Sequence, residues 1–165
     1  MAFVAVTSGA AGAQLTDWKR YEPDDRMGDG RNIAFYAESS EKFPGTMSTS
    51  RPTLLIGCSK KKAKFVIMAE VQIQPDSNLE YGQRAARIKL DEAKPIRIVG
   101  SEANSGDAIY VGDAPGWIRR LAKAKFSLVE VTPFRHGPST VKIAVAGLSA
   151  HAKEIAEHCG IQLPK

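Results

Sequence analysis

The fold is decided by the stretch from Pro52 to Val71, which reads PTLLIGCSKKKAKFVIMAEV. Each half of this stretch places apolar residues at every second position, as side chains do when they alternate between the two faces of a β-strand. The basic run Lys60 to Lys62 separates the halves. The residues that share one face are Leu54, Ile56 and Cys58, then Phe65, Ile67, Ala69 and Val71. This pattern predicts a β-hairpin with a basic tip, and it directs Cys58 towards the core.

The rest of the chain contains further short strands of the same kind. Six segments have apolar residues at alternate positions: Ile33 to Ala37, Ala86 to Leu90, Ile96 to Ile98, Ile109 to Val111, Phe126 to Thr132 and Val141 to Val145. The last two flank a turn-rich stretch and predict a second long hairpin. Between Trp18 and Ile33 the sequence predicts only turns, and residues 75 to 82 predict a loop.

Two segments have the spacing of amphipathic helices. Asp113 can cap the first helix, and Pro115 suits its first turn. The residues that this helix directs inwards are Trp117, Ile118 and Leu121. A closing helix begins near Leu148, and its apolar stripe consists of Leu148, Ala152, Ile155 and Cys159. Both helices are therefore expected to pack against the strands.

Short strands joined by turns, rather than alternating regularly with helices, are typical of an antiparallel fold. The sequence therefore predicts a mainly β protein, an antiparallel β-sandwich or a partly open barrel with two short helices, the second at the C-terminus. Residues 14–165 have the length of one domain, and no repeat or shift of composition marks a second.

The cysteines favour a disulfide. Cys58 and Cys159 are the only two in the chain, 101 positions apart, and both face the predicted core. An even number of cysteines behind an export-like N-terminus is typical of a structural disulfide. Closing so long a loop stabilises a fold by about 4 to 5 kcal/mol in the chain-entropy treatment. Such a bond would fasten the closing helix to the first hairpin.

Residues 1–13 resemble a signal peptide. Residues 2–13 read AFVAVTSGAAGA, carry no charge and end in Ala11-Gly12-Ala13, the kind of sequence that signal peptidase recognises. The run is too short for a membrane span, which needs about 20 apolar residues. Because a positively charged n-region is missing, a small-residue terminus on a cytosolic protein is the alternative. The favoured location is periplasmic or secreted.

The amino-acid composition excludes few classes of binding partner. The chain is 43% apolar and 25% charged, as ordinary globular proteins are, and its net charge is +5. This charge favours acidic partners such as an anionic envelope polymer, and it is too small to indicate nucleic-acid binding. The sequence contains no Walker loop, no G-x-S-x-G elbow and no dinucleotide-binding glycine pattern. We therefore predict no cofactor and no catalytic residue.

One group of residues has the types that zinc prefers. His151, Glu154 and His158 occur on the closing helix, but they lie beside its apolar stripe on the flank expected to face water. We expect no metal there. A catalytic pair of Cys159 and His158 is also not expected, because neighbouring helical residues do not face each other.

Basic residues form three groups: Lys60, Lys61, Lys62 and Lys64; Arg84, Arg87 and Lys89; Arg119, Arg120, Lys123 and Lys125. If these groups converge, they form a cationic surface for an anionic ligand. The candidate residues are Lys60, Lys61, Lys62, Arg119 and Arg120. The alternative is that they are solvated turn and helix residues, some of which protect sheet edges from pairing.

Several segments, in order, carry a family resemblance: RPTLLIGC at Arg51 to Cys58, a helix ending at Leu121, VEVTPF at Val129 to Phe134, Val141 to Gly147-Leu148, and the final Cys159. They resemble the VasI family, also called TagO, periplasmic accessory proteins associated with type VI secretion. The resemblance implies that the first segment is a core strand whose cysteine pairs with the last one, and it implies no catalytic residue. Residues 60–64 are more basic than the family pattern, and Ile73 to Asp107 matches poorly.

A second resemblance is to invasion-associated locus B proteins, which are exported and β-rich. It covers Lys125 to Val145 and the following Ala146-Gly147-Leu148. These proteins usually carry additional internal cysteines that this chain lacks.

The sequence thus predicts an exported, non-enzymatic accessory protein of the bacterial envelope whose partners are envelope or secretion-apparatus proteins or an anionic polymer. The alternatives are a locus-B-like protein acting in host contact and an envelope enzyme acting on murein. The sequence does not specify an oligomeric state.

Overall fold

Nine β-strands and two helices make up the regular structure of residues 15–22, 32–103 and 105–164, which the computed structural model describes. The strands are β1 Lys19–Tyr21, β2 Ile33–Glu38, β3 Thr53–Ser59, β4 Lys62–Met68, β5 Gln83–Leu90, β6 Ile96–Glu102, β7 Ala108–Val111, β8 Phe126–Val131 and β9 Ser139–Ala144. The helices are α1 Ala114–Lys123 and α2 Ala152–Cys159, and a 3₁₀ turn, Leu148–His151, leads into α2. The signal-like segment, residues 1–13, lies outside the described residues.

The predicted first hairpin is confirmed. β3 and β4 pair antiparallel, with Ser59 opposite Lys62, so that Lys60 and Lys61 alone form the turn. Both turn residues have positive φ angles, 50° and 58°, as a two-residue type I′ hairpin turn requires. The inner face of the hairpin carries Leu54, Ile56, Cys58, Phe65 and Ile67, all buried. The alternating pattern therefore fixes which side of the hairpin faces the core.

All nine strands belong to one antiparallel sheet in the order β1-β2-β3-β4-β7-β6-β5-β8-β9. The two ends of the sheet approach each other without forming a ladder. Ser39 Oγ donates to the Lys142 carbonyl at 2.7 Å, and Asp17 and Ala146 exchange two hydrogen bonds of 2.9 Å. The predicted mainly β, antiparallel fold with two helices is therefore confirmed, and its strands form one open nine-stranded sheet.

Strand β1 is a difference from the sequence prediction, which placed only turns between Trp18 and Ile33. Its three residues, Lys19 to Tyr21, are all exposed and have no apolar period. They are extended because their backbone pairs with β2, Arg20 opposite Phe35. A strand held only by its ladder leaves no hydrophobic pattern in the sequence.

Both helices cover the inner face of the sheet, as predicted. Asp113 caps α1 by accepting a hydrogen bond from the Gly116 N–H at 3.2 Å, and Trp117 packs against Phe65 with ring centroids 5.9 Å apart. The predicted closing helix starts as a 3₁₀ turn, and Ala152 of its apolar stripe is only half-buried. No described helix, in residues 15–22, 32–103 or 105–164, has the length and apolar character needed to cross a membrane.

The predicted disulfide between Cys58 and Cys159 is confirmed. The two Cα atoms are 4.7 Å apart, and both residues are buried. A hydrogen bond of 3.0 Å from the Lys61 N–H to the His158 carbonyl joins the hairpin tip to the end of α2. The bond and the disulfide together hold the C-terminal helix on the first hairpin.

Candidate anion-binding groove

A cavity of about 430 Å³ lies on the outer face of the sheet where β2, β3 and β4 pair. We call it the lysine groove. It is lined by Asn32, Ile33, Ala34, Gly57, Cys58, Ser59, Lys60, Lys62 and Lys64. Residues that pair across an antiparallel ladder point to the same face, so Ala34, Gly57 and Lys64 form one row across the outer surface. Ala34 has only a methyl side chain and Gly57 has none, so the floor of the groove is low.

Gly57 lies in the middle of β3, although no neighbouring atom excludes a side chain at this position. A Cβ atom added to it would lie 4.0 Å from the Lys64 Cβ, an ordinary contact distance. Glycine inside a strand weakens the strand and often marks a close approach of a ligand or another backbone. The absence of a side chain at Gly57 therefore lowers the floor of the groove, and no close neighbour requires it.

Three lysines supply the charge of the groove. Lys62 and Lys64 stand on the same face of β4, roughly 7 Å apart along the strand, since each residue advances a strand by about 3.3 Å. Lys60 reaches the groove from the hairpin turn. Among the described residues, no Asp or Glu lines the groove, and these three ammonium groups have no hydrogen-bond, ion-pair or ring partner. Three uncompensated positive charges around a cavity attract anions.

The other candidate residues lie elsewhere. Lys61 does not line the groove; it packs beside Gly160, where an added Cβ would be 3.4 Å from the Lys61 Cβ. Arg119 donates from Nε to the Gln162 carbonyl at 3.4 Å, and the Arg120 guanidinium lies 4.9 Å from the centre of the Trp117 ring. Of the five candidates, the structure thus brings Lys60 and Lys62 together, with Lys64 as a third member, and it places Lys61, Arg119 and Arg120 outside the groove.

Arginines of the second basic group have partners within the protein. The Arg84 guanidinium is mostly buried, pairs with Glu102 at 2.7 Å and donates to the Ile73 carbonyl at 3.2 Å. Arg87 lies 3.6 Å from Glu130 across the β5–β8 ladder. The charges of Arg84 and Arg87 are therefore compensated.

His151 and Glu154 are held by other parts of the fold. His151 is half-buried rather than solvated: its Nε2 lies 3.1 Å from the Trp18 carbonyl, and its ring lies 4.7 Å from that of Phe35. Glu154 forms an ion pair with Arg20, whose Nε lies 2.7 Å from Glu154 Oε2. In the described ranges no group of three or more His, Cys, Asp or Glu residues is arranged to hold a metal ion.

A second cleft, of about 570 Å³, opens at the end of the sheet where several loops meet. Glu70, Asp107, Phe134 and His136 are among the residues that line it. Burial, and secondly the nearby charge of Asp107, raises the pKa of the Glu70 carboxyl above its ordinary value. No sequence motif connects these residues, because Glu70 and Asp107 are far apart in the chain. The one local signal was a carboxylate at Glu70 inside an apolar run.

Comparisons with protein-family models, with curated proteins and with solved structures give no match.

Proposed function

We propose that this protein is an exported binding protein of the bacterial envelope and that the lysine groove is its site for anionic ligands. The observation that carries the proposal is the set of three lysines, Lys60, Lys62 and Lys64, around a cavity whose described lining contains no acidic residue. Positive charge that the protein leaves uncompensated is available to a ligand. Phosphate or carboxylate groups of an envelope polymer match this site.

The disulfide supports the proposed location. Protein disulfides persist in the periplasm and outside the cell, whereas the cytosol keeps most thiols reduced. Cys58 and Cys159 are both buried, as a structural disulfide is. The signal-like residues 1–13 agree with the same location.

The proposed mode of action is binding rather than catalysis, and the proposed partners are envelope or secretion-apparatus proteins together with the anionic polymer. The ordered segments that resemble the VasI family, from Arg51 to Cys159, are the basis for proposing a role in type VI secretion. Cross-linking in envelope fractions followed by copurification tests this assignment. Recovery of secretion-apparatus membrane components supports it, and appearance on the cell surface without such components favours the locus-B-like role instead.

A pull-down with purified lipopolysaccharide and with murein tests the groove. The triple variant Lys60→Gln/Lys62→Gln/Lys64→Gln should lose retention. The matched control removes three exposed lysines elsewhere, Lys94, Lys123 and Lys125, and it should bind as the wild type does. Equal retention of the two variants contradicts the groove as the binding site.

The binding mode has its own test. Incubation of the wild-type protein with murein should release no soluble fragments. Turnover that disappears in Glu70→Gln would contradict the non-enzymatic proposal and would move the functional site to the second cleft.

A further inference from the structure

Beyond the lysine groove, the same outer face of the sheet extends to its first strand. Tyr21 of β1 pairs with Ala34, Ala34 pairs with Gly57, and Gly57 pairs with Lys64. Because paired residues of an antiparallel ladder share a face, Tyr21 and Lys64 stand on the same outer surface. They are separated by three strand spacings, about 14 Å, and only Ala34 and Gly57 lie between them. The row therefore has an aromatic ring at one end and an ammonium group at the other, with no large side chain between them.

Tyr21 is available for contact. Its relative exposure is 56%, and its ring has no hydrogen bond and no ring contact within the described residues. The neighbouring outward tyrosine, Tyr36, differs, because the Lys19 ammonium lies 5.8 Å from the centre of its ring. Tyr21 is thus the open aromatic surface at this end of the row.

We propose that the groove binds a short anionic saccharide, with one sugar ring stacked on Tyr21 and a phosphate or carboxylate held by Lys62 and Lys64. This inference rests on the proposed anion binding at the groove and adds the class of the ligand. The C–H face of a sugar ring carries partial positive charge, which matches the negative face of an aromatic ring. The ammonium groups at the other end match the anion.

The arrangement favours a saccharide over a single-stranded nucleic acid. Proteins that bind single strands stack successive bases on several aromatic side chains along a positively charged groove. Here the described outer face carries two open tyrosine rings, Tyr21 on β1 and Tyr110 on β7, four strand spacings or about 19 Å apart, and Tyr36 is occupied by Lys19. Rings so far apart form no continuous stacking surface, whereas one ring and the cluster of cations suit a ligand with one apolar face and one charged group.

Titration calorimetry with three probes tests the inference. The probes are an oligogalacturonate, which carries carboxylates, a phosphorylated oligomannose, and inorganic tripolyphosphate, which carries charge but no sugar. Tyr21→Ser should weaken binding of the favoured saccharide about 2- to 13-fold, as expected from the loss of one aromatic contact of 0.5–1.5 kcal/mol, and leave tripolyphosphate binding unchanged. Tyr21→Phe should keep the affinity, because it keeps the ring.

Tyr81→Ser is the matched control, since Tyr81 is a fully exposed tyrosine in the loop between β4 and β5 and is not part of the row from Tyr21 to Lys64. Whichever saccharide shows the Tyr21 effect identifies the anion as carboxylate or phosphate. The inference is overturned if Tyr21→Ser changes neither saccharide, if it weakens tripolyphosphate equally, or if a single-stranded oligonucleotide shows the larger Tyr21 effect. Failure of all three probes to bind the wild type instead overturns the anion-binding function. Thermal unfolding of each variant confirms that the fold is intact.

Discussion

Removal of the disulfide is expected to destabilise the protein by a large and calculable amount. The bond between Cys58 and Cys159 closes a loop of 101 positions, and a loop of this length corresponds to about 4.7 kcal/mol of chain entropy in the unfolded state. For a domain of this size, that loss lowers the unfolding midpoint by about 10 to 20 °C. We therefore expect the double variant Cys58→Ala/Cys159→Ala to unfold far below the wild type.

Equilibrium unfolding in urea, with and without a reductant, measures this effect. The wild type should lose stability when the reductant is added, and it should then match the double variant. The variant itself should not respond, because it has no bond to reduce. A variant within 1 kcal/mol of the oxidised wild type would refute the reasoning, since the hairpin and helix would then be held by packing alone.

Three further changes have defined outcomes. Gly57→Val fills the floor of the groove, so it should reduce tripolyphosphate affinity several-fold in calorimetry. The unfolding temperature should stay equal or rise, because valine suits a strand better than glycine. An unchanged affinity would contradict binding in the groove. Glu70→Gln removes a carboxyl whose pKa is raised in the folded state, so ionised Glu70 costs stability as pH rises through that pKa. The variant should be more stable than the wild type at pH 7, and this difference in stability should vanish below the ordinary pKa of glutamate, about 4.3. Urea unfolding at several pH values measures the difference. A difference that does not change with pH would contradict the raised pKa of Glu70. Trp18→Phe leaves the Val145 carbonyl without the buried indole donor at 2.8 Å and should cost about 1–3 kcal/mol in urea unfolding; a neutral change would show that this bond contributes nothing.

Features with a local cause could be predicted from the sequence. The alternation of apolar residues predicts the hairpin from Pro52 to Val71. The capping residue Asp113 and the proline that follows it predict the start of α1. The inward direction of Cys58 and Cys159 follows from the same periods, and the structure joins them. Each of these predictions depends on residues close together in the chain.

Features that depend on distant pairing could not be predicted. Strand β7 pairs with β4, although β5 and β6 come between them in the sequence. This pairing also brings Asp107 beside Glu70, since the Asp107 carbonyl accepts from the Ala69 N–H at 2.9 Å. Position along the chain does not reveal such neighbours.

The candidate site shows the same division. The lysine run was visible as a charged tip, but the row of Ala34, Gly57 and Lys64 exists only through the register of β2, β3 and β4. Arg119 and Arg120 are separated from the groove because α1, which carries them, covers the inner face of the sheet, whereas the groove lies on the outer face. The positive charges can be read from the sequence, whereas the shape of the groove depends on how β2, β3 and β4 pair.

Anion binding at the lysine groove is tested most directly by chemical-shift mapping of the amide resonances while tripolyphosphate is added to the wild-type protein. The largest shifts should cluster at Ala34, Gly57, Lys60, Lys62 and Lys64, and they should disappear in Lys62→Gln/Lys64→Gln. Shifts centred instead on Arg119 and Arg120, or spread over all exposed lysines, would contradict an anion-binding groove on this face of the sheet.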